Sequence, residues 1–374
     1  MTSLSYLSLR QNNFVNSVLP KWLSNTTTFE VLDIEHSDIH SPITNVEWGK
    51  LCNLQKLYLK QNKINGDISR VVKGLSSCSN TTIEALRLDV NALTGQLPNS
   101  LGHLKNLRIL SISVNLISGT VPASVEQLSR LKNFYLGENQ MKGALPESIF
   151  NFSELTELWL TTNALEGSLS QNHFARLHQL KVLSLSCGRS FAVNLTNDWV
   201  PPFSLITIEL RSCSLGTKFP TWLKTQKQLE VVILTNGSIS DPIPPWLWTQ
   251  CSQLQILDLS DNQIGGYLPR LPNVTHLNLA NNLFSGSIPF NIGHLMTKLE
   301  VLDLSGNAFT GTIPYSITKV KQLLGLDLSD NHLSGKLPDW WYELLQLQVI
   351  NLSGNNLSGS VPPSVCSPPS LFWL

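Results

Sequence analysis

Charge is scarce in this chain. Only 14% of its 374 residues are charged, where about a quarter is usual in a soluble domain. Lysine plus arginine and aspartate plus glutamate number 26 each, the formal net charge is zero, and no basic run occurs. That argues against nucleic acid or an anionic membrane surface as partner. Long apolar runs are missing too: none approaches the roughly 20 residues of a membrane-spanning helix. No signal peptide is visible, since Met1-Thr2-Ser3 leads straight into an apolar pattern at Leu4. The chain lacks G-x-S-x-G, G-x-G-x-x-G and P-loop patterns, so no catalytic residue and no cofactor is expected.

The six cysteines show no C-x-x-C metal spacing. Cys52, Cys78 and Cys251 each precede the first leucine of a turn, where a small buried residue fits. The expectation is buried free thiols, with a Cys187–Cys213 bridge between adjacent turns left open for geometry to decide.

What the chain does have is a period. Leu299 to Gln322 opens with Leu299, Leu302, Leu304 and Asn307, continues through Phe309, Gly311 and Pro314, and restarts at Leu323. In Leu302-Asp303-Leu304 the leucines share one side and Asp303 faces the other. The chain must then turn, and Asn307 can both donate to and accept from the backbone groups that the turn leaves unpaired. Gly311 permits a backbone angle that other residues resist. A repeat of this length is the signature of a solenoid, whose turns bury their leucines only against neighbours.

Fifteen anchors at the Asn position run from Asn12 to Asn355; eleven are Asn, and the exceptions are Ser37, Gly188, Cys213 and Gly237. Most spacings are 24 or 25. The step from Asn62 to Asn91 is 29, which predicts an insertion near residues 70–80. The step from Asn262 to Asn282 is 20, with Pro269 and Pro272 in a crossover too short for a return helix.

Gly follows the anchor by four residues in ten turns, and Pro by seven in ten. This L-x-G-x-[LIV]-P extension resembles the plant-type leucine-rich repeat. The resemblance implies an α/β solenoid of about fifteen turns, 1–374 as a single repeat domain, and a curved, twisted superhelix with its parallel sheet on the concave face. Asn197 to Trp248 is similar to a stretch of plant receptor-like proteins, the group that includes receptors for a fungal xylanase elicitor. There the family reads D-I-S-N-S-G-I, and this chain has Ile233-Leu234-Thr235-Asn236-Gly237-Ser238-Ile239. That family carries a signal peptide, a cysteine-paired cap, a long repeat ectodomain, one membrane span and a short tail. The chain is therefore expected to be a partial member, uncapped at both ends, with Leu371-Phe372-Trp373-Leu374 opening a sixteenth turn.

Recognition is expected on the exposed strand face. Four residues before successive anchors stand Tyr58, Arg87, Tyr135 and Trp159; two before stand Lys60, Asp89 and Arg211, with Glu209 and Glu138 beside them. From Asp258 onward the same positions read Asp or Asn and Ser. Tyr, Trp and Arg are interface-anchoring residues, and a long face suits a protein or peptide better than a small molecule. The competing reading is that these side chains simply pack on one another. Asp258, Asp303 and Asp327 form a carboxylate column that reads as a solvated face. Glu35, His36, Asp38 and His40 fall on a strand end and turn and read as no metal site. Trp22, Trp222, Trp246 and Trp340 follow P-x-W and are expected to pack between turns on the return side.

Eight N-x-S/T sequons occur, at Asn25, Asn80, Asn151, Asn194, Asn236, Asn273, Asn351 and Asn356. All but Asn351, which sits on a strand, are candidate glycosylation sites. The resemblance implies an extracellular protein or peptide ligand, a co-receptor in a full-length form, and location on the outer face of the plasma membrane. It leaves open a secreted inhibitor of cell-wall-degrading enzymes and the ectodomain of a receptor kinase.

Overall fold

The computed structural model describes residues 3–372. Trp373 and Leu374, the second half of the expected sixteenth L-x-x-L, lie outside the described residues. The chain divides into two compact units, Met1–Asn194 with Pro201–Ser204 and Leu195–Val200 with Leu205–Leu374.

In each unit every turn gives one short strand to a parallel ladder. The first unit contributes strands from Tyr6–Ser8 to Val182–Ser186, and the second from Thr207–Arg211 to Val349–Asn351. Register follows the repeat. Tyr58, Arg87, Ser111, Tyr135 and Trp159 stand side by side in the first unit. Asp258, Asn278, Asp303, Asp327 and Asn351 do so in the second. Because side chains alternate across a strand, the leucines turn inward: Leu57, Leu59, Leu302 and Leu304 are at most 1% exposed. Each such burial is worth roughly 2 kcal/mol. The return segments are mostly 3-10 turns opened by the repeat's Pro, such as Tyr315–Lys319 after Pro314.

The anchors behave as a hydrogen-bonded ladder. Asn91 Nδ2 donates to the carbonyls of Leu59, Leu88 and Asp89 at 3.0–3.1 Å, and its Oδ1 accepts from Ile64 N at 3.0 Å. Asn307 repeats this with Leu279, Leu304, Ser305 and Phe284. The series runs from Asn62 to Asn163 in the first unit and from Asn262 to Asn355 in the second. Between them stand Gly188, Cys213 and Gly237, which have no side-chain amide to contribute. Gly311 adopts φ +81°, the left-handed conformation that its place after the anchor requires.

The 29-residue turn holds a helix, Ser69–Ser76, whose buried residues include Val71, Val72 and Leu75. The 20-residue turn runs from Gly266 to His276 without a helical element.

The cysteine expectation needs correction. Cys52 and Cys78 form a disulfide, Cα–Cα 5.5 Å, and Cys187 and Cys213 are each disulfide-bonded rather than free. Cys251 is a buried free thiol and Cys366 an exposed one. The inserted helix carries Cys78 back beside Cys52, an approach that depends on how the insertion folds rather than on repeat phase. Trp22 also departs from expectation. It is 41% exposed, while Trp222 and Trp340 are 2% and 8% exposed and pack on Trp199 and Tyr315 respectively.

Candidate binding face

The ladder face of the first unit is built from the two rows of outward residues. Where Leu57 and Leu59 point into the core, Tyr58 and Lys60 must point out, and the same holds for Arg87 and Asp89 on the next strand. A cavity of about 330 Å³ opens on this face. Six of the nine expected binding residues line it: Lys60, Arg87, Asp89, Tyr135, Glu138 and Trp159. Tyr58 stands at its margin, with the Arg87 guanidinium 5.4 Å from the ring centroid in cation–π geometry. Glu209 and Arg211 belong to the second unit, where they form an ion pair with each other.

The cavity exists because its floor is small. Ser111 and Ser113 occupy the middle strand, between Arg87 and Asp89 on one side and Tyr135 on the other. Sequence reasoning passed over both serines because they are unremarkable singly. It also passed over Val90 and Val114, which complete the lining. Both are β-branched residues at positive φ, +53° and +55°. That conformation is costly for such side chains. The signal available in the sequence was a valine immediately before an anchor Asn.

The polar groups are held in place by their neighbours. Ser111 Oγ donates to Asp89 Oδ1, and Ser113 N donates to the same oxygen at 3.2 Å. Burial nevertheless holds the Asp89 carboxyl above its usual range, since desolvation outweighs those bonds. Tyr135 OH donates a hydrogen bond to Glu157 Oε2 and accepts one from Asn133 Nδ2 at 3.3 Å. Burial first, then the Glu157 carboxylate, push its phenol up. Burial likewise raises Tyr58, against the opposing pull of Arg87. Trp159 Nε1 donates to Thr161 Oγ1 at 2.9 Å, and its ring lies 6.4 Å from that of Tyr135 at 57°. Arg87 and Lys60 have no carboxylate within ion-pair distance among the described residues. The face thus offers two cations without ion-pair partners, one of them stacked on Tyr58, and an aromatic wall across a shallow trough.

The second unit's ladder face differs. Asp258, Asp303 and Asp327 each accept from the backbone N and the hydroxyl of the serine two residues on. One oxygen of each, Oδ1, is thus turned inward on the repeat. Burial, with Asp327 and Asp258 adding to it, raises the Asp303 carboxyl.

Of the sequons, Asn25, Asn80, Asn151, Asn194, Asn236 and Asn356 are exposed, and Asn273 and Asn351 are half-buried. Asn351 Nδ2 donates to Asp327 Oδ2 at 2.9 Å.

Comparison with known proteins agrees with this architecture. Leucine-rich-repeat family models match residues 253–272, 273–295 and 297–357. The tomato (Solanum lycopersicum) receptor-like proteins EIX1 and EIX2 are 39% and 36% identical to it over 124 residues, 32% of this chain and 12% of each relative. Receptor-like protein 14 of Arabidopsis thaliana is 34% identical over 135 residues, 35% of this chain and 14% of that protein. The chain therefore matches a small part of the length of these relatives. Among solved structures, the ectodomain of the Arabidopsis receptor kinase HAESA, in complex with the peptide hormone IDA and the co-receptor SERK1, aligns over 100% of this chain and 65% of its own. That pair is 30% identical with a TM-score of 0.59. PEPR1 in complex with AtPEP1 aligns over 99% of this chain and 65% of its own, at 26% identity and TM-score 0.59.

Proposed function

This chain is a plant-type leucine-rich-repeat protein similar to the receptor-like proteins, and from that premise we propose that it is a non-enzymatic recognition module whose first-unit ladder face binds an extracellular protein or peptide. The observation that carries the reading is the contrast between the two ladder faces. Tyr58, Arg87, Tyr135 and Trp159 gather at one trough, while from Asp258 onward the matching positions hold Asp and Asn, of which Asp258, Asp303, Asp327 and Asn351 accept from the serine two residues on and Asn278 from Ala280 N. The solved neighbours bound to peptides support a peptide-sized or protein-sized occupant. The sequence period runs from Asn12 to Asn355, which supports treating 1–374 as one repeat domain.

The ligand class we favour is a microbial elicitor protein, sensed in defence at the plasma membrane, with a co-receptor engaged by the full-length form. The disulfides support an oxidising, extracellular setting. The test is binding of a purified fungal xylanase to the immobilised chain. Alanine at Tyr58, Arg87, Tyr135 and Trp159 together should abolish it, and Ser305→Ala should leave it intact. The opposite pattern overturns the assignment of the face, and an absence of binding by the unmodified chain overturns this ligand class.

A further inference from the structure

Away from the ladder, a hollow of about 300 Å³ lies on the return side of the first unit, with Glu147, Phe150, Asn151, Asn172, His173 and Arg176 in its lining. Its floor is aromatic: Phe150, 4% exposed, meets His173 edge-on at 5.0 Å and Phe174 at 5.9 Å. Its rim is polar. His173 Nε2 stands 3.4 Å from Glu147 Oε1, and Arg176 Nη1 donates to Asn151 Oδ1 at 3.1 Å.

Asn151 closes the 3-10 turn Glu147–Asn151 and opens the sequon Asn151-Phe152-Ser153. The bond from Arg176 holds the amide oxygen and leaves Nδ2 without a hydrogen bond among the described residues. Three other sequons differ. Nδ2 of Asn236 donates to Ser212, that of Asn273 to Ser252, and that of Asn351 to Asp327. Asn273 also borders a cavity, but one of about 20 Å³, too small for a sugar.

We propose that Asn151 is N-glycosylated and that the first sugar of its glycan rests in this hollow as a fixed part of the return side. The proposal rests on the extracellular reading above. The linkage forms when Nδ2 loses one proton and bonds to C1 of an N-acetylglucosamine. The bond from C1 to a lipid-linked diphosphate breaks, and the lipid diphosphate leaves with the electron pair. Nδ2 keeps one N–H. The sugar's apolar face suits the Phe150 and His173 rings, and its hydroxyls and N-acetyl group suit Asn172, Glu147 and Arg176.

The experiment uses the full chain from a secretory eukaryotic host, with or without ligand-binding activity, so that it succeeds or fails independently of the ladder-face assignment. Site-resolved mass spectrometry follows glycan release by peptide N-glycosidase on native and on unfolded protein. Asn151 should be occupied, and native release there should be about tenfold slower than at Asn80, the factor one net hydrogen bond supplies. The two rates should agree after unfolding. Arg176→Ala, with an unchanged melting temperature, should bring the native rate at Asn151 up to that at Asn80. If that variant does not fold, Asn172→Ala on the exposed rim gives the same comparison. A bare Asn151, equal native rates at the two sites, or slow release that survives the substitutions overturns the proposal.

Discussion

The indole of Trp159 lies over Gly137: a β-carbon added at Gly137 would stand 2.9 Å from Trp159 Cδ1 and 3.1 Å from Thr161 Oγ1. The glycine on one strand thus makes room for the aromatic wall on the next. Gly137→Ala should therefore cost about 1–3 kcal/mol, the usual range for overpacking. Most of that cost should vanish when Trp159→Ala is already present. A double-mutant cycle by urea melts reads this coupling directly, and additive costs would show that the ring is free to move aside.

Asn307 serves three carbonyls and one backbone N–H across two turns. Asn307→Ala leaves these buried groups without partners and should cost roughly 2–4 kcal/mol. Asn12 makes its two hydrogen bonds in exposed surroundings, so Asn12→Ala should cost under about 1 kcal/mol. Equilibrium unfolding of the two variants side by side checks the difference.

Val114 is strained at φ +55° and lines the ladder-face cavity. Val114→Asn relieves a conformation that asparagine tolerates and should stabilise the chain by about 1 kcal/mol. If the proposed face binds its ligand, the same change should weaken binding while raising the melting temperature. The opposite signs would separate a binding position from a purely structural one.

The Asp89 carboxyl, raised by burial, sets a pH dependence. Its folded state holds the proton more tightly than the unfolded chain does. The contribution is therefore fully present below the ordinary carboxylate pKa and is lost as pH rises through the raised value. Asp89→Asn removes the charge and keeps an acceptor for Ser111 and Ser113. The stability of the unmodified chain relative to this variant should fall as pH rises from the ordinary carboxylate range through the raised value. Thermal melts of both proteins across that range give the difference, and parallel curves would assign the titration elsewhere.

The Cys52–Cys78 bridge closes a 26-residue separation and ties the inserted helix to the preceding turn. Cys78→Ser should cost about 3.5 kcal/mol on the loop-closure relation. The loss should appear first as faster hydrogen exchange in Ser69–Ser76, because opening in a solenoid is local.

The frame was legible because it rests on periodicity. Leu302, Leu304 and Asn307 announce the same strand and turn wherever the spacing recurs, and both the long and the short turn showed as departures from it. The outward residues were legible by the same alternation. Their chemistry was not. The Ser111 bond to Asp89 and the Glu157 bond to Tyr135 each join residues 22 apart in sequence, partners set by ladder register. The partnership of Cys52 with Cys78 was hidden for another reason: it depends on the path of the one segment that breaks the repeat. Val90 and Val114 went unnamed, although they hold the same place before an anchor as Glu138 and line the same trough.

The anchor hydrogen bonds also give the coil a direction. The Oδ1 of each Asn accepts from the amide two residues past the preceding anchor, as Asn115 does for Leu93 and Asn331 for Phe309. A turn's backbone donor is therefore met by its successor's anchor, whose own Nδ2 donates back to a carbonyl of the earlier turn, as Asn307 does to Leu279. Cutting the coil after any such turn strands a backbone donor on the earlier piece and frees side-chain amide donors on the later one. The two severed faces would be unlike, so head-to-tail association restores what was lost, and like-to-like association does not.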